Sequence, residues 1–292
     1  MKKSGLVVKS NDLIKASYTL GLVEQRLILM AIVTARETGL GITSDTLLEI
    51  RAMDYAQLFG VTKQAAYMAL SSAIETLFNR RATVQVYDER RKGLRSLTVR
   101  WVTAMDYEES MGLITLRFGH EVVPEITRLE ANFTSYELEQ VAGLKSAYAV
   151  RLYELLIQWK ASGVTPLLKI DEFRTQLGLL KHEHTQMCHF KKYALDLAVS
   201  QVNEYTDITV TYEQHKRGRT ITGFTFMFTQ KKQPKDVTPK TKKLKPTEDI
   251  NSLLDDRSFL AKHARIGESW DDVRSRLKRE AETGQFTLAP TD

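Results

Sequence analysis

The 292-residue chain carries 42 Lys and Arg against 36 Asp and Glu, a formal net charge of +6, with 42% hydrophobic residues and one cysteine. That length and apolar content exceed the needs of one typical core, so two domains are expected; Cys188 alone excludes an internal disulfide, Met1 to Lys9 lacks the apolar centre of a signal peptide, and no run is long enough to span a bilayer, which gives the expectation of a soluble cytoplasmic protein. The charge is uneven: residues 230–246 hold seven lysines against Asp236 and residues 247–292 hold seven basic and ten acidic residues, leaving +3 for residues 1–229, so any basic surface on the folded body must be local.

In chain order, Asn11 to Lys15 is a short lead-in, and Leu22, Leu27, Ile28, Met30, Ala31 and Ile32 make an apolar helix whose C-cap is Gly39. Leu47 to Ala52 is extended. Asp54 is expected to cap a short helix, Tyr55 to Phe59, closed by Gly60-Val61, and Thr62 to cap the next, with Ala66, Leu70, Ala73, Ile74 and Leu77 inward and Lys63, Gln64, Tyr67, Ser71 and Glu75 outward. Helix, glycine turn, helix is the helix-turn-helix arrangement, whose second helix can enter a major groove. Arg80 and Arg81 are read as its last residues. Thr83 to Tyr87 and Leu94 to Val102 alternate as strands around the basic turn Asp88 to Gly93, and Leu113 to Phe118 offers a third strand.

The same order then recurs. Ala147 to Lys160 is an apolar helix ending at Gly163, Leu167 to Ile170 is extended, Asp171 is placed to cap Glu172 to Leu177, and Gly178-Leu179 turns. Gln25-Arg26-Leu27 answers Val150-Arg151-Leu152, and Gln57-Leu58-Phe59-Gly60-Val61 answers Thr175-Gln176-Leu177-Gly178-Leu179. Two copies of one module account for residues 1–229. In the second copy Phe190, Ala194, Leu195, Ala198 and Val202 recur at helical spacing, with Lys191, Lys192, Asp196, Ser200 and Asn203 on the wet face. The period then changes to two through Ile208, Val210 and Tyr212, and again through Ile221, Phe224, Phe226 and Phe228, around His215-Lys216-Arg217-Gly218-Arg219. A helix followed by a basic-tipped hairpin is the second half of a winged helix. The fold class is therefore α+β, as tandem winged-helix domains.

Four stretches carry a family resemblance: Leu152-Tyr153-Glu154-Leu155-Leu156, Gln176-Leu177-Gly178, Asn203-Glu204-Tyr205-Thr206-Asp207-Ile208 and Lys216-Arg217-Gly218-Arg219. With Ser10-Asn11-Asp12-Leu13-Ile14 and Glu24-Gln25-Arg26-Leu27, the chain over residues 6–229 resembles the replication initiator proteins of iteron-containing, theta-replicating bacterial plasmids. It departs from them at Tyr193, where many relatives carry a basic residue, and at Leu197, where proline is common. The resemblance implies monomers that bind direct repeats at an origin, help to open the adjacent DNA and recruit the host initiator and replicative helicase. It also implies a homodimer, joined through the N-terminal domain, that represses the initiator's own promoter. The residues themselves point to double-stranded DNA binding by two linked modules, and a plain winged-helix transcriptional repressor is the alternative.

Residues 1–130 are thus read as an N-terminal winged-helix domain for dimerisation and DNA contact, 131–229 as the C-terminal domain that reads sequence, 230–246 as a basic linker, and 247–292 as a tail with a short helix around Trp270, Val273 and Leu277 capped by Ser269. Lys191 and Lys192 can donate to guanine or to phosphates, while Gln186 and Asn203 are types that pair with adenine. Lys216, Arg217 and Arg219 suit phosphates or the minor groove; Arg90, Arg91, Lys92 and Arg95 are assigned likewise in the first module, with Lys63, Gln64, Tyr67 and Arg81 from its helix. Dimerisation is assigned to the strands Leu94 to Val102 and Leu113 to Phe118. No phosphate-loop motif occurs, and His182-Glu183-His184 has a carboxylate where a nickase metal site needs an apolar residue, so no enzymatic activity and no cofactor are assigned. His182, His184, Cys188 and His189 match no common zinc spacing and are read as solvent-exposed or groove-facing residues.

Overall fold

The computed structural model describes residues 5–43, 46–88, 90, 92–127, 132–231, 260 and 270–282. It falls into two units, 1–231 and 232–292. In the second, the helix Trp270–Glu282 has Val273 and Leu277 buried and Trp270 exposed. The expected cap Ser269 and most of the expected linker 230–246 lie outside the described residues. Gln230 and Lys231 belong to the body instead: Gln230 ends a strand, and the Lys231 ammonium donates to the carbonyls of Asn203 and Thr206.

The body opens with β1 (Leu6–Ser10), α1 (Asn11–Lys15) and β2 (Ser17–Tyr18), followed by α2 (Leu22–Thr38). Leu27 to Ile32 are all buried, because α2 is apolar on nearly every side and runs through the core. It ends at Gly39, whose φ of 72° lets its N–H reach the Ala35 carbonyl. Then come β3 (Leu48–Arg51), α3 (Ala52–Phe59) and α4 (Lys63–Leu77). Thr62 caps α4 by accepting from the Ala65 N–H. Asp54 caps nothing: α3 begins two residues earlier, with Arg51 at the N-cap, so this carboxylate sits in the first turn, beside the positive helix end. Asp171 is displaced the same way in α8 (Ile170–Gln176), where Lys169 is the N-cap.

Beyond α4 lie β4 (Arg81–Asp88), β5 (Gly93–Arg100), β6 (Val102–Glu108) and β7 (Leu113–Phe118). The expected single run through Val102 breaks at Trp101, which is fully buried, edge-on to Tyr18 at 4.9 Å between centroids. Turning a corner there puts the indole in the core and leaves β6 as a separate strand. After α5 (Val123–Ile126), β8 (Phe133–Glu137) and α6 (Glu139–Ala142), the second module consists of α7 (Ala147–Ile157), β9 (Leu168–Lys169), α8, a long helix over residues 187–205, β10 (Ile208–Arg217) and β11 (Thr220–Gln230).

The sheets expose the internal repeat and correct one of its equivalences. The strand order β3-β7-β6 in the first module matches β9-β11-β10 in the second, all antiparallel. The topological counterpart of the second wing is therefore β6–β7, whose turn carries Glu108 and Glu109. The basic hairpin β4–β5 belongs to another sheet, β2-β4-β5. In the β6–β7 sheet β7 lies between β3 and β6, so Leu113–Phe118 has no open edge to offer a partner, whereas among the described residues β5 pairs on one side only.

One buried polar cluster ties the modules. Arg151 of α7 is 0% exposed. Its Nε donates to the Gln176 carbonyl, its Nη2 to the carbonyls of Ile14 and Ala16, and its Nη1 to the Tyr18 hydroxyl and to Glu154 Oε2. The other Glu154 oxygen accepts from Lys9 Nζ at 2.6 Å and from the Tyr136 hydroxyl at 2.7 Å. Burial alone would raise the Glu154 pKa, but Lys9 and Arg151 more than offset it and hold the carboxyl below its ordinary range. Burial pushes the Lys9 amine down and the Tyr18 and Tyr136 phenols up.

Glu154→Gln strips the countercharge from two buried cations and is expected to lower unfolding free energy by about 3 to 5 kcal/mol in urea titrations. Glu172→Gln, which opens the exposed 3.8 Å pair with Lys169, should change it by less than about 1 kcal/mol. Because the folded pKa of Glu154 is depressed, its contribution is complete above the unfolded glutamate value of about 4.3 and is lost as pH falls through the lower folded value. Glu154→Gln should therefore flatten the acid limb of a stability-pH curve.

Candidate nucleic-acid interface

The long helix of the second module begins as Met187–Phe190, widens to a π turn over Lys191–Leu195, and continues as Asp196–Tyr205. Phe190, Ala194, Ala198 and Val202 are all buried. A spacing of four held over three steps drifts around an α-helix of about 3.6 residues per turn, and one wider turn takes up the drift. The opposite side presents His189, Lys192, Tyr193, Asp196 and Ser200 to solvent.

This face is braced from two directions. From the wing, Tyr212 is wedged against Phe224 and Phe226 and its hydroxyl donates to Asp196 Oδ1 at 2.7 Å; burial first, and then that carboxylate, raise its pKa. Lys191 Nζ lies 5.5 Å from the centre of the Tyr212 ring and 3.4 Å from Gln214 Oε1. From the other side, Arg174 donates to the carbonyls of Glu183 and His184 and stacks on Phe190 at 5.0 Å, which fixes the segment leading into the helix. Sequence periodicity placed Asp196 on the wet face without its Tyr212 partner and missed Arg174, which interrupts no apolar pattern.

The expected contact residues divide by what they already hold. Lys192 is exposed, its ammonium 5.0 Å from the Tyr193 ring centre. Gln186 is exposed at the N-cap of the helix. Lys216, Arg217 and Arg219 are all exposed at the wing tip, where Gly218 adopts φ 62° and a bulge between His215 and Lys216 re-aims the strand end. Asn203 is spent otherwise: its carboxamide takes the Val210 N–H at 2.6 Å and gives to the Val210 carbonyl at 3.0 Å, locking helix to strand and leaving no amide face for adenine.

In the first module Lys63 and Gln64 are exposed at the start of α4, with the Lys63 ammonium 5.6 Å from the Tyr67 ring centre. Tyr67 is half-buried against the β6–β7 turn, where Gly112, at φ 59°, leaves no space for a Cβ beside the ring. Arg81 is not on the helix, which ends at Leu77; it opens β4 opposite Arg100 and is exposed. Arg80 reaches back to Glu24 at 2.8 Å. Arg90 and Lys92 are exposed in the β4–β5 turn, and Arg95 lies 3.8 Å from Asp88. Arg91 lies outside the described residues. Among the described residues no group of three potential metal ligands comes together; His184 and His189 pack against Tyr193.

Two helix-turn-helix units, each completed by a three-stranded sheet with a hairpin wing, define a tandem winged-helix protein of the DNA-binding class. Residues 6–157 match the family described as "Initiator Replication protein, WH1" and residues 169–228 the one described as "Initiator Rep protein, WH2", so the chain belongs to the family of replication initiators. An uncharacterized 27.6 kDa protein of Escherichia coli is 24% identical over 245 residues, which span 80% of this chain and 98% of that protein. A replication initiation protein of Escherichia coli is 25% identical over 219 residues, or 73% of this chain and 66% of that one. Among solved structures, the Pi initiator protein in complex with iteron DNA has the same fold, with a TM-score of 0.64 and 21% identity over 80% of this chain and 100% of that one.

Asn203→Ala leaves a buried backbone pair at Val210 without partners and should cost about 1 to 3 kcal/mol of stability. The ratio of specific to non-specific DNA affinity should stay unchanged, as checked by melting and by binding titrations on the same preparation.

Proposed function

We propose that this chain initiates plasmid replication by binding direct repeats of duplex DNA at an origin. Residues 131–229 supply most of the base discrimination and residues 1–130 mostly affinity. The observation that carries this reading is the contrast between the two wings. Lys216, Arg217 and Arg219 stand exposed beside the lysines of the long helix, while the equivalent turn of the first module presents Glu108 and Glu109. An acidic wing repels phosphates, so the first module contacts DNA through Lys63, Gln64 and the basic β4–β5 hairpin. Opening of the adjacent DNA and recruitment of the host initiator and helicase belong to the same proposal, supported by family membership. The expected tail, residues 247–292, makes an accessory contact with host protein or DNA.

Lost base readout and lost phosphate neutralisation have separate signatures. Lys191→Ala and Lys192→Ala should each cost about 1 to 3 kcal/mol on the cognate repeat and compress the ratio of cognate to scrambled affinity. Arg217→Ala should weaken both duplexes together and reduce the salt slope by about one. The measurement is binding to one repeat and to scrambled duplex across a salt series. Collapse of the ratio with Lys63→Ala or Gln64→Ala, and not with the second-module lysines, would reverse the division.

We further propose that a homodimer forms through β5 and represses the chain's own promoter. The open outer edge of β5 and the exposure of Leu94 and Tyr87, paired across β4 and β5, support this. Sedimentation of the full chain should show a concentration-dependent dimer that Leu94→Asp abolishes without lowering Tm. A dimer indifferent to Leu94→Asp would put the interface elsewhere.

A further inference from the structure

Among the large apolar residues of the long helix, Tyr193 stands out. Its side chain is 46% exposed on the same side as Lys192, yet it is not loose. The ring stacks on His184 at 5.7 Å with 26° between planes, and His189 lies 5.9 Å away. His184 is itself held. Its backbone sits at φ 44°, unusual for a side-chain-bearing residue, its carbonyl accepts from Arg174 at 3.0 Å, and its ring meets the edge of Tyr148. Packing alone does not call for this support, since nearly half of the tyrosine faces water. The result is a braced ring edge, flanked by the lysine ammonium, projecting from the helix that carries the proposed base-reading lysines.

We infer that Tyr193 is a specificity-determining residue of this helix, its ring edge packing against the C5-methyl group of one thymine in the repeat. This deepens the proposed DNA reading and rests on it. The chemistry selects thymine because, of the base edges in the major groove, only thymine offers an apolar group, while the others present donors and acceptors. The neighbouring Lys192 ammonium, by contrast, seeks oxygen and nitrogen acceptors. A pre-stacked ring loses little rotamer freedom on binding, so the contact keeps most of its value.

Replacing thymine by deoxyuridine deletes only the methyl group, which makes the test specific. The tightest-binding duplex is selected from a random library with the full-length chain and resynthesised with deoxyuridine at each thymine in turn. Wild type should lose about fourfold in affinity at one position, the value of burying one methyl-sized group. Tyr193→Phe should show the same loss at the same position. Tyr193→Ala should bind the parent duplex correspondingly more weakly and be indifferent to the substitution there, with an unchanged salt slope. If no deoxyuridine position is silenced by Tyr193→Ala, or if the variant weakens selected and scrambled duplexes equally, Tyr193 does not read a thymine and the inference fails. Failure of the broader reading looks different: wild type then selects no preferred duplex at all.

Discussion

Glu154 is the group on which the rest of the body depends. Its carboxylate is 1% exposed and is approached by Lys9 from β1, Tyr18 from β2, Tyr136 from β8 and Arg151 one helical turn away on α7. Burying such charges costs several kcal/mol per ion, and that cost is offset only when nearly every donor and lone pair finds a partner. The requirement is directional, unlike the burial of a leucine. A slip of β1 by one residue against β8 would turn Lys9 to the other face, withdraw its ammonium and strand the carboxylate. The cluster therefore fixes which residues of β1 and β8 face each other. Through the carbonyls of Ile14, Ala16 and Gln176 it also fixes where the N-terminal segment meets the second module.

Upon that frame two copies of one topology differ in the charge of the wing turn and in a hairpin that the first copy adds. Each has a helix-turn-helix closed by a glycine at positive φ, Gly60 and Gly178, and each has a sheet in which the last strand pairs with both the first and the wing strand. What differs is the wing turn, acidic in the first copy and cationic in the second. Phosphate attraction falls within a Debye length of about 8 Å at physiological salt, so the sign of a few residues at a hairpin tip decides what that hairpin can approach. The first copy also carries the basic hairpin β4–β5, paired to β2.

The second module also shows how polar side chains of the long helix and its wing separate into those that build and those that remain exposed. Asn203, Asp196 and Tyr212 satisfy the protein: the amide stitches helix to strand, and the carboxylate takes the phenol proton. Lys192 and the wing-tip cations are exposed, and among the described residues none of them pairs with an acid. Exposure together with the lack of an internal partner makes a polar side chain available to a ligand, and residue type carries neither piece of information. Asparagine suited adenine chemically and was nonetheless consumed by the backbone of β10.

What the sequence by itself determined is what depends on neighbours along the chain. The spacing of Phe190, Ala194, Ala198 and Val202, the alternation from Ile208 to Tyr212, the Thr62 cap and the glycine turns all act over a few residues, and so the helices, the second wing and the repeat were legible. Helix starts were misread at Asp54 and Asp171 because an acidic residue favours the first turn as well as the cap, and only backbone geometry separates the two. Tertiary structure alone decided the pairing of β3 with β7, the corner at Trp101, the commitment of Asn203 and the ion cluster in which Lys9 meets Glu154 across 145 positions of sequence. The physical reason is range: periodicity records which face of an element is buried, whereas a buried charge or a strand edge is satisfied by whatever the fold brings to it, and nothing nearby in the chain encodes that partner.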